Sequence, residues 1–88
     1  MSVDLHYTES GPADAPPLLL GGSLGTTTRM WQPQVEALST LFRVVCFDHR
    51  GHGNSPVPKG PYTMADLGGD VIALMDRLGI ERAHYAGL

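Results

Sequence analysis

The stretch Val44–Ser55, VVCFDHRGHGNS, constrains the fold more than any other part of the chain. Four apolar, strand-forming residues, Val44 to Phe47, break abruptly into Asp48-His49-Arg50-Gly51-His52-Gly53-Asn54-Ser55. A continuous apolar run of that kind suits a strand covered on both faces. The polar, glycine-rich segment after it reads as a tight turn leaving the sheet. Doubly covered strands belong to mostly parallel sheets flanked by helices, so the expected fold class is α/β.

The rest of the chain supplies the partners of that strand. Val3–Glu9 alternates, with Val3, Leu5 and Tyr7 on one side, as a half-buried strand would. Ser10–Pro17 is a proline- and glycine-containing loop, and Leu18-Leu19-Leu20 after it predicts a central strand. Thr26-Thr27-Thr28 offers capping hydroxyls before Trp31, Val35, Leu38 and Phe42, which recur at helical spacing. Pro33 is tolerable there only in a first turn, so a helix from about Arg29 to Ser39 is expected. Pro56–Pro61 is a surface loop. Thr63 and Asp66 then form a capping-box pattern ahead of a helix carrying Leu67, Val71, Leu74 and Leu78 on one face, with Gly79 placed to end it. Gly68-Gly69 opposes helix formation, and close packing against the sheet is the expected compensation. Ala83–Gly87 is a last short strand. This alternation predicts a mostly parallel sheet entered by a hairpin of the first two strands.

Composition removes whole classes of function. A net charge of −3, with six Lys and Arg dispersed along 88 residues, gives no electrostatic footprint for nucleic acid. No apolar run is long enough to span a bilayer, and the first residues lack the basic and apolar regions of a signal peptide. A single cysteine cannot form an internal disulfide, and together these features predict a reducing, cytoplasmic setting without membrane partners. Eighty-eight residues are few for a sheet covered on both faces, so a longer polypeptide is expected.

Gly21-Gly22-Ser23-Leu24-Gly25 leaves a buried strand and precedes a helix, where backbone N–H groups can face a ligand at the carboxyl end of a sheet. Three readings compete: a plain tight turn, a dinucleotide-binding loop with Asp48 as ribose acceptor, and an oxyanion loop. The glycines do not make G-x-G-x-x-G, and Asp48 runs into RGHGNS, which weighs against a dinucleotide. An oxyanion loop fits acyl transfer, in which fixed backbone donors stabilise negative charge developing on a carbonyl oxygen.

D-x-R-G-x-G-x-S over residues 48–55 resembles the turn after a central strand in α/β-hydrolases. Tyr85-Ala86-Gly87-Leu88 resembles the approach to the nucleophile elbow G-x-S-x-G, one residue short of its serine. The ordered blocks S-L-G-T, R-M-W-Q-P-Q, F-R-V, D-x-R-G-H-G, G-P-Y-T, L-G-x-D-V and L-G-I-E-R-A-H, from about Leu18 onward, are similar to the 3-oxoadipate enol-lactonase group of that family. Gly22-Ser23 stands where many relatives have His-Gly.

The resemblance implies that residues 1–88 are the N-terminal segment of a single α/β-hydrolase domain and that residue 89 is the nucleophilic serine. It implies hydrolysis of a lactone or ester through an acyl-enzyme, with no cofactor. The partners would be a small-molecule ester or lactone and the remainder of the same polypeptide. Leu24 would supply an oxyanion N–H, with Ser23 as the fallback. The catalytic acid and histidine would lie beyond residue 88. Other serine esterases and haloperoxidase-like enzymes share the scaffold, and a non-catalytic, hydrolase-derived binding protein is the alternative from another class.

The remaining polar residues are expected to serve structure. Asp48, Arg50 and His52 are read as holding their own turn by local hydrogen bonds and ion pairing. His49 and His52 have H-x-x-H spacing without the further ligands a metal needs. Cys46, in mid-strand, is read as a small buried hydrophobe, Trp31 as core before pocket wall, and His84 as a packed or hydrogen-bonded histidine.

Overall fold

The two apolar runs lie side by side at the centre of a four-stranded sheet. The computed structural model describes residues 3–22 and 27–87. The order is β1 (Tyr7–Ser10), β2 (Pro17–Gly21), a 3-10 turn (Thr28–Trp31), α1 (Gln32–Leu38), β3 (Arg43–Phe47), α2 (Met64–Arg77) and β4 (His84–Gly87). In the sheet the order is β1-β3-β2-β4, with β2 parallel to both β3 and β4 and β1 antiparallel to β3.

Alternation along each central strand divides the core between two faces. Leu18, Leu20, Val44 and Cys46 pack with Trp31, Val35 and Leu38 on the α1 side. Leu19, Val45 and Phe47 pack with Leu5, Leu74 and Ile80 on the α2 side. Both faces of β2 and β3 are therefore covered, as their unbroken apolar sequences require. Phe47, at 1% exposure, fills the second layer, and its truncation to alanine would cost about 3–5 kcal/mol.

α2 begins where its sequence says it should. The Thr63 hydroxyl accepts from the Asp66 N–H at 3.1 Å, and the Asp66 carboxylate accepts from the Thr63 N–H at 3.0 Å. Both hydrogen bonds of the capping box are present, which holds Asp66 below the usual carboxylate range. Just past its last turn Gly79 has φ +70°, the left-handed conformation that releases the chain towards β4.

The structure departs from the sequence expectations at four places. β1 does not form a hairpin with β2; it crosses to the far side of β3. The Ser10–Pro17 connection is longer than a two-residue hairpin loop, and Gly11, at φ +91°, passes so close to the carbonyls of Ser39 and Phe42 that a side chain would collide. An ion pair from Arg43 to Glu9 joins the crossed strand to β3. β1 also starts at Tyr7 and not at Val3, because the preceding backbone pairs elsewhere. The Val3 N–H donates to Asp70 Oδ1 at 2.9 Å and the His6 N–H to Ser55 Oγ at 2.8 Å. The expected helix at 29–39 divides into a 3-10 turn capped by Thr27 and a short α1 with Pro33 in its first turn. Finally, Gly68 and Gly69 are exposed, and among the described residues added Cβ atoms would meet nothing within 4 Å, so they do not pack closely against the described sheet.

Candidate active site

α1, the helix that follows β2, packs on one face of the sheet, and α2, which follows β3, packs on the other. Adjacent parallel strands whose connections part in this way open a crevice at their carboxyl ends, the usual ligand position in open α/β sheets. Here the crevice is bordered by Gly21 at the end of β2 and Gly22 after it, by His49, Arg50 and His52 of the turn after β3, and by Gly87 at the end of β4. A cleft of about 1190 Å³ runs from this edge along the α2 face, with His49, Tyr62, Met64 and Tyr85 among its walls.

Asp48 organises the turn. It is 2% exposed, and its two carboxylate oxygens accept from Thr28 N–H at 2.8 Å and Asn54 N–H at 3.0 Å. Its backbone N–H donates to the His6 carbonyl, and its carbonyl accepts the Ser55 hydroxyl at 2.6 Å. Ser55, buried and bonded in both directions, is a structural strut between β1 and the turn. Gly51 and Gly53 take φ of +77° and +49°, which explains the glycines of the motif. His52 Nδ1 lies 3.0 Å from the Arg50 carbonyl. Local hydrogen bonding thus holds for Asp48 and His52, as expected.

Arg50 corrects the expectation of ion pairing within the turn. Its guanidinium reaches across to α2, where Nε and Nη2 donate to the two oxygens of Asp70 at 2.6 and 2.7 Å. Burial pushes the Asp70 carboxyl up. Hydrogen bonds from Arg50 and the Val3 N–H, with the guanidinium charge, outweigh that and leave it below the usual carboxylate range. Asp70 enters the sequence reading only as the D of L-G-x-D-V, with no role assigned, although its position is a signal: a charge set between Leu67 and Leu74 in an otherwise apolar helical stripe.

His49 is half-buried beside the crevice. Its ring meets Phe47 edge-on, with centroids 5.1 Å apart, and that of His52 at 6.4 Å. Its Nδ1 is buried without a partner among the described residues. Burial first, and then neighbouring His52, hold its pKa below the ordinary 6.5, so the imidazole is neutral at pH 7. Cys46 is buried, as expected, and burial together with the Asp48 charge pushes its thiol up to about 11, far from a nucleophile's range. Its Sγ lies 3.6 Å from the Thr28 carbonyl. Trp31 is core, and His84, though exposed on β4, packs its ring edge-on against Phe42 with centroids 6.1 Å apart. Among the described residues no cluster of His, Cys, Asp or Glu could hold a metal ion, and no helix is long and apolar enough to cross a membrane. Ser23 and Leu24, the residues assigned to the oxyanion loop, lie outside the described residues; Gly22 and Thr27 on either side of the segment are within them.

Known proteins share this arrangement. The sequence matches the alpha/beta hydrolase fold family over residues 16–88. It is 46% identical to 3-oxoadipate enol-lactonase 2 of Acinetobacter baylyi over 86 residues, which is 98% of this chain and 32% of that protein. A Caulobacter sp. protein that bears the name carbamate hydrolase RutD is 45% identical, across 93% of this chain and 31% of its own length. The crystal structure of an enol-lactonase from Burkholderia xenovorans LB400 superposes with a TM-score of 0.93 at 55% identity, covering 96% of this chain and 33% of that one. The chain therefore spans about a third of the length of these relatives. With the crossed strand order, the glycine turn and the crevice at the carboxyl ends of β2 and β3, the match makes this chain a member of the α/β-hydrolase fold family.

Proposed function

We propose that residues 1–88 belong to a serine hydrolase of carboxylic esters or lactones, with 3-oxoadipate enol-lactone as its substrate. The observation that carries this reading is the continuous similarity to enol-lactonases, 46% and 55% identical over nearly the whole chain. In the proposed mechanism a serine directly after Leu88 attacks the lactone carbonyl, a histidine takes its proton, and an acid orients that histidine. The developing oxyanion is held by two backbone N–H groups. One comes from Leu24, or from Ser23 if the loop aligns one residue differently; the other comes from the residue after the nucleophile. The setting is cytoplasmic, and the partners are the small-molecule substrate and the rest of the polypeptide.

A second reading, hydrolysis of a carbamate, is favoured by the 45% identity to the Caulobacter protein. The full-length polypeptide distinguishes the two. Its kcat/KM for 3-oxoadipate enol-lactone is expected to exceed that for a small carbamate and for a neutral aryl ester of similar size. A tenfold or greater preference for the neutral ester or the carbamate overturns the lactonase assignment. Labelling by a fluorophosphonate, mapped to residue 89, tests the serine independently of substrate.

A further inference from the structure

Three described strands run parallel, and the two connections between them show where a further one has to pass. From β2 the chain steps to β3, towards β1, with α1 on one face of the sheet. From β3 it steps back past β2 to β4, away from β1, with α2 on the other face. Crossovers between parallel strands share one hand, so reversing the direction of the step reverses the face, as these two do. The inner edge of β4 is taken by β2, and among the described residues its outer edge is unpaired. A helix carrying the chain from β4 to a further parallel strand on that edge steps away from β1 once more, and therefore lies on the α2 face.

The cleft lies on that face. It reaches Gly87, the last residue of β4, and is walled by Met64, Leu67, Gly68 and Val71 of α2 and by Tyr85 of β4. The four α2 positions are spaced i, i+3, i+4 and i+7, which makes them one stripe of the helix. Met64 is 81% exposed and Tyr85 55%, so the walls form an uncovered apolar patch. A volume of about 1190 Å³ exceeds the roughly 300–1,000 Å³ of a small-molecule pocket. Gly68 stands in the middle of the stripe, whereas Gly69 is not part of the cleft wall. We propose that this cleft seats the segment directly following Leu88, as a helix packed along α2, with Gly68 the point of closest approach between the two backbones. This rests on the reading that the polypeptide continues, as in relatives of which this chain covers 32–33%. Close backbone approach is what a glycine permits, and it offsets the helix propensity that Gly68 forfeits.

Labelling of introduced cysteines in the full-length protein tests this, because Cys46 is buried with its thiol pushed up to about 11 and gives little background. Tyr85→Cys places a thiol in the cleft, and Ala65→Cys places one at an exposed α2 position outside its walls. Each is treated with a maleimide in its native state and in concentrated guanidinium chloride. Tyr85→Cys is expected to react on the order of 10²-fold more slowly when folded, and Ala65→Cys within about threefold of its unfolded rate. A second comparison stands even where Tyr85→Cys does not fold. Gly68→Ala is expected to lower the melting temperature of the full-length protein by about 5 °C through overpacking, while Gly69→Ala leaves it unchanged or raises it. Equal labelling of the two cysteines, or Gly68→Ala at least as stable as Gly69→Ala, overturns the proposal. Protection that grows with protein concentration also overturns it, since it assigns the cleft to a second copy. The intact mass of the native polypeptide separates these failures from failure of the underlying reading. A chain that ends at Leu88 removes the occupant itself, whereas a longer chain with an open cleft removes only the docking.

Discussion

Arg50 and Asp70 meet as a two-pronged fork inside the protein, Nε to Oδ2 at 2.6 Å and Nη2 to Oδ1 at 2.7 Å, with side-chain exposures of 7% and 1%. The pair joins the turn after β3 to the middle of α2. Since Asp70 Oδ1 also accepts the Val3 N–H, the chain ahead of β1 is held at the same point. Tyr62 adds its ring, 5.4 Å from the guanidinium carbon.

This pair is expected to contribute to acid stability. The Asp70 carboxyl is held below its ordinary value of 3.8 in the folded state, so the unfolded chain binds the proton first as pH falls. Its stabilisation is fully present above about pH 4 and is lost as pH drops through the lowered folded value. Asp70→Asn in the full-length protein should therefore reduce the melting temperature at pH 7 by roughly 10 °C and flatten the decline below pH 4. Melting curves from pH 7 to pH 3 check this; parallel curves for variant and parent would count against it.

How much of this was legible in the sequence follows from the range of each interaction. Thr63 and Asp66 bond across three residues, and Gly79 needs only its own backbone conformation, so both ends of α2 could be read directly. The apolar runs at Leu18–Leu20 and Val44–Phe47 likewise marked the two central strands. Arg50 and Asp70 are twenty residues apart on different elements, and no local pattern couples them. β1's partner was misread for the same reason. Alternation shows which side of a strand is buried but not which neighbour it takes, and here Glu9–Arg43 and Ser55–His6 select β3. At the site, the glycine turn was recognisable as a motif. The grip of Asp48 and Cys46 on Thr28 exists only once β2 and β3 lie parallel.

The two positive-φ glycines of the turn should differ in sensitivity. A Cβ on Gly51 would first meet the side chain of Tyr62 at 3.1 Å, tight but without overlap, and Gly51→Ala should cost about 1–2 kcal/mol for its backbone conformation. A Cβ on Gly53 would overlap the Asp48 carboxylate itself. Gly53→Ala should therefore destabilise more than Gly51→Ala. Paired denaturation measurements decide it; equal losses would show that the Asp48 carboxylate can yield without consequence.

Gly21 is required by Tyr85. A Cβ there would overlap the Tyr85 hydroxyl and lie 3.0 Å from Phe47 Cζ, where β2, β3 and β4 come together near the crevice. Gly21→Ala should be destabilising in the full-length protein, and Tyr85→Ala should relieve part of the penalty. A double-mutant cycle is expected to give a coupling on the order of 1 kcal/mol, with the double variant more stable than the sum of the singles. Additive losses would place the strain on Phe47 alone.

Gly68 and Gly69 give the opposite expectation. They interrupt the first half of α2, where each glycine costs about 0.8–1 kcal/mol of helix stability relative to alanine, yet among the described residues an added Cβ at either position would meet nothing within 4 Å. Among the described residues, packing cannot offset that cost, and the capping box of Thr63 and Asp66 acts only on the first turn. In a peptide spanning residues 61–80, where tertiary contacts are absent by design, Gly68→Ala and Gly69→Ala should each raise helix content, and together raise it further. Circular dichroism near 0 °C measures this directly, since a 14-residue helix is marginal in water and sensitive to each substitution. No gain from either change would mean that helix propensity is not what limits this segment. Placing the same substitutions in the full-length protein separates local from tertiary roles. A gain in the peptide with a matching rise in melting temperature would show that both glycines are dispensable for packing.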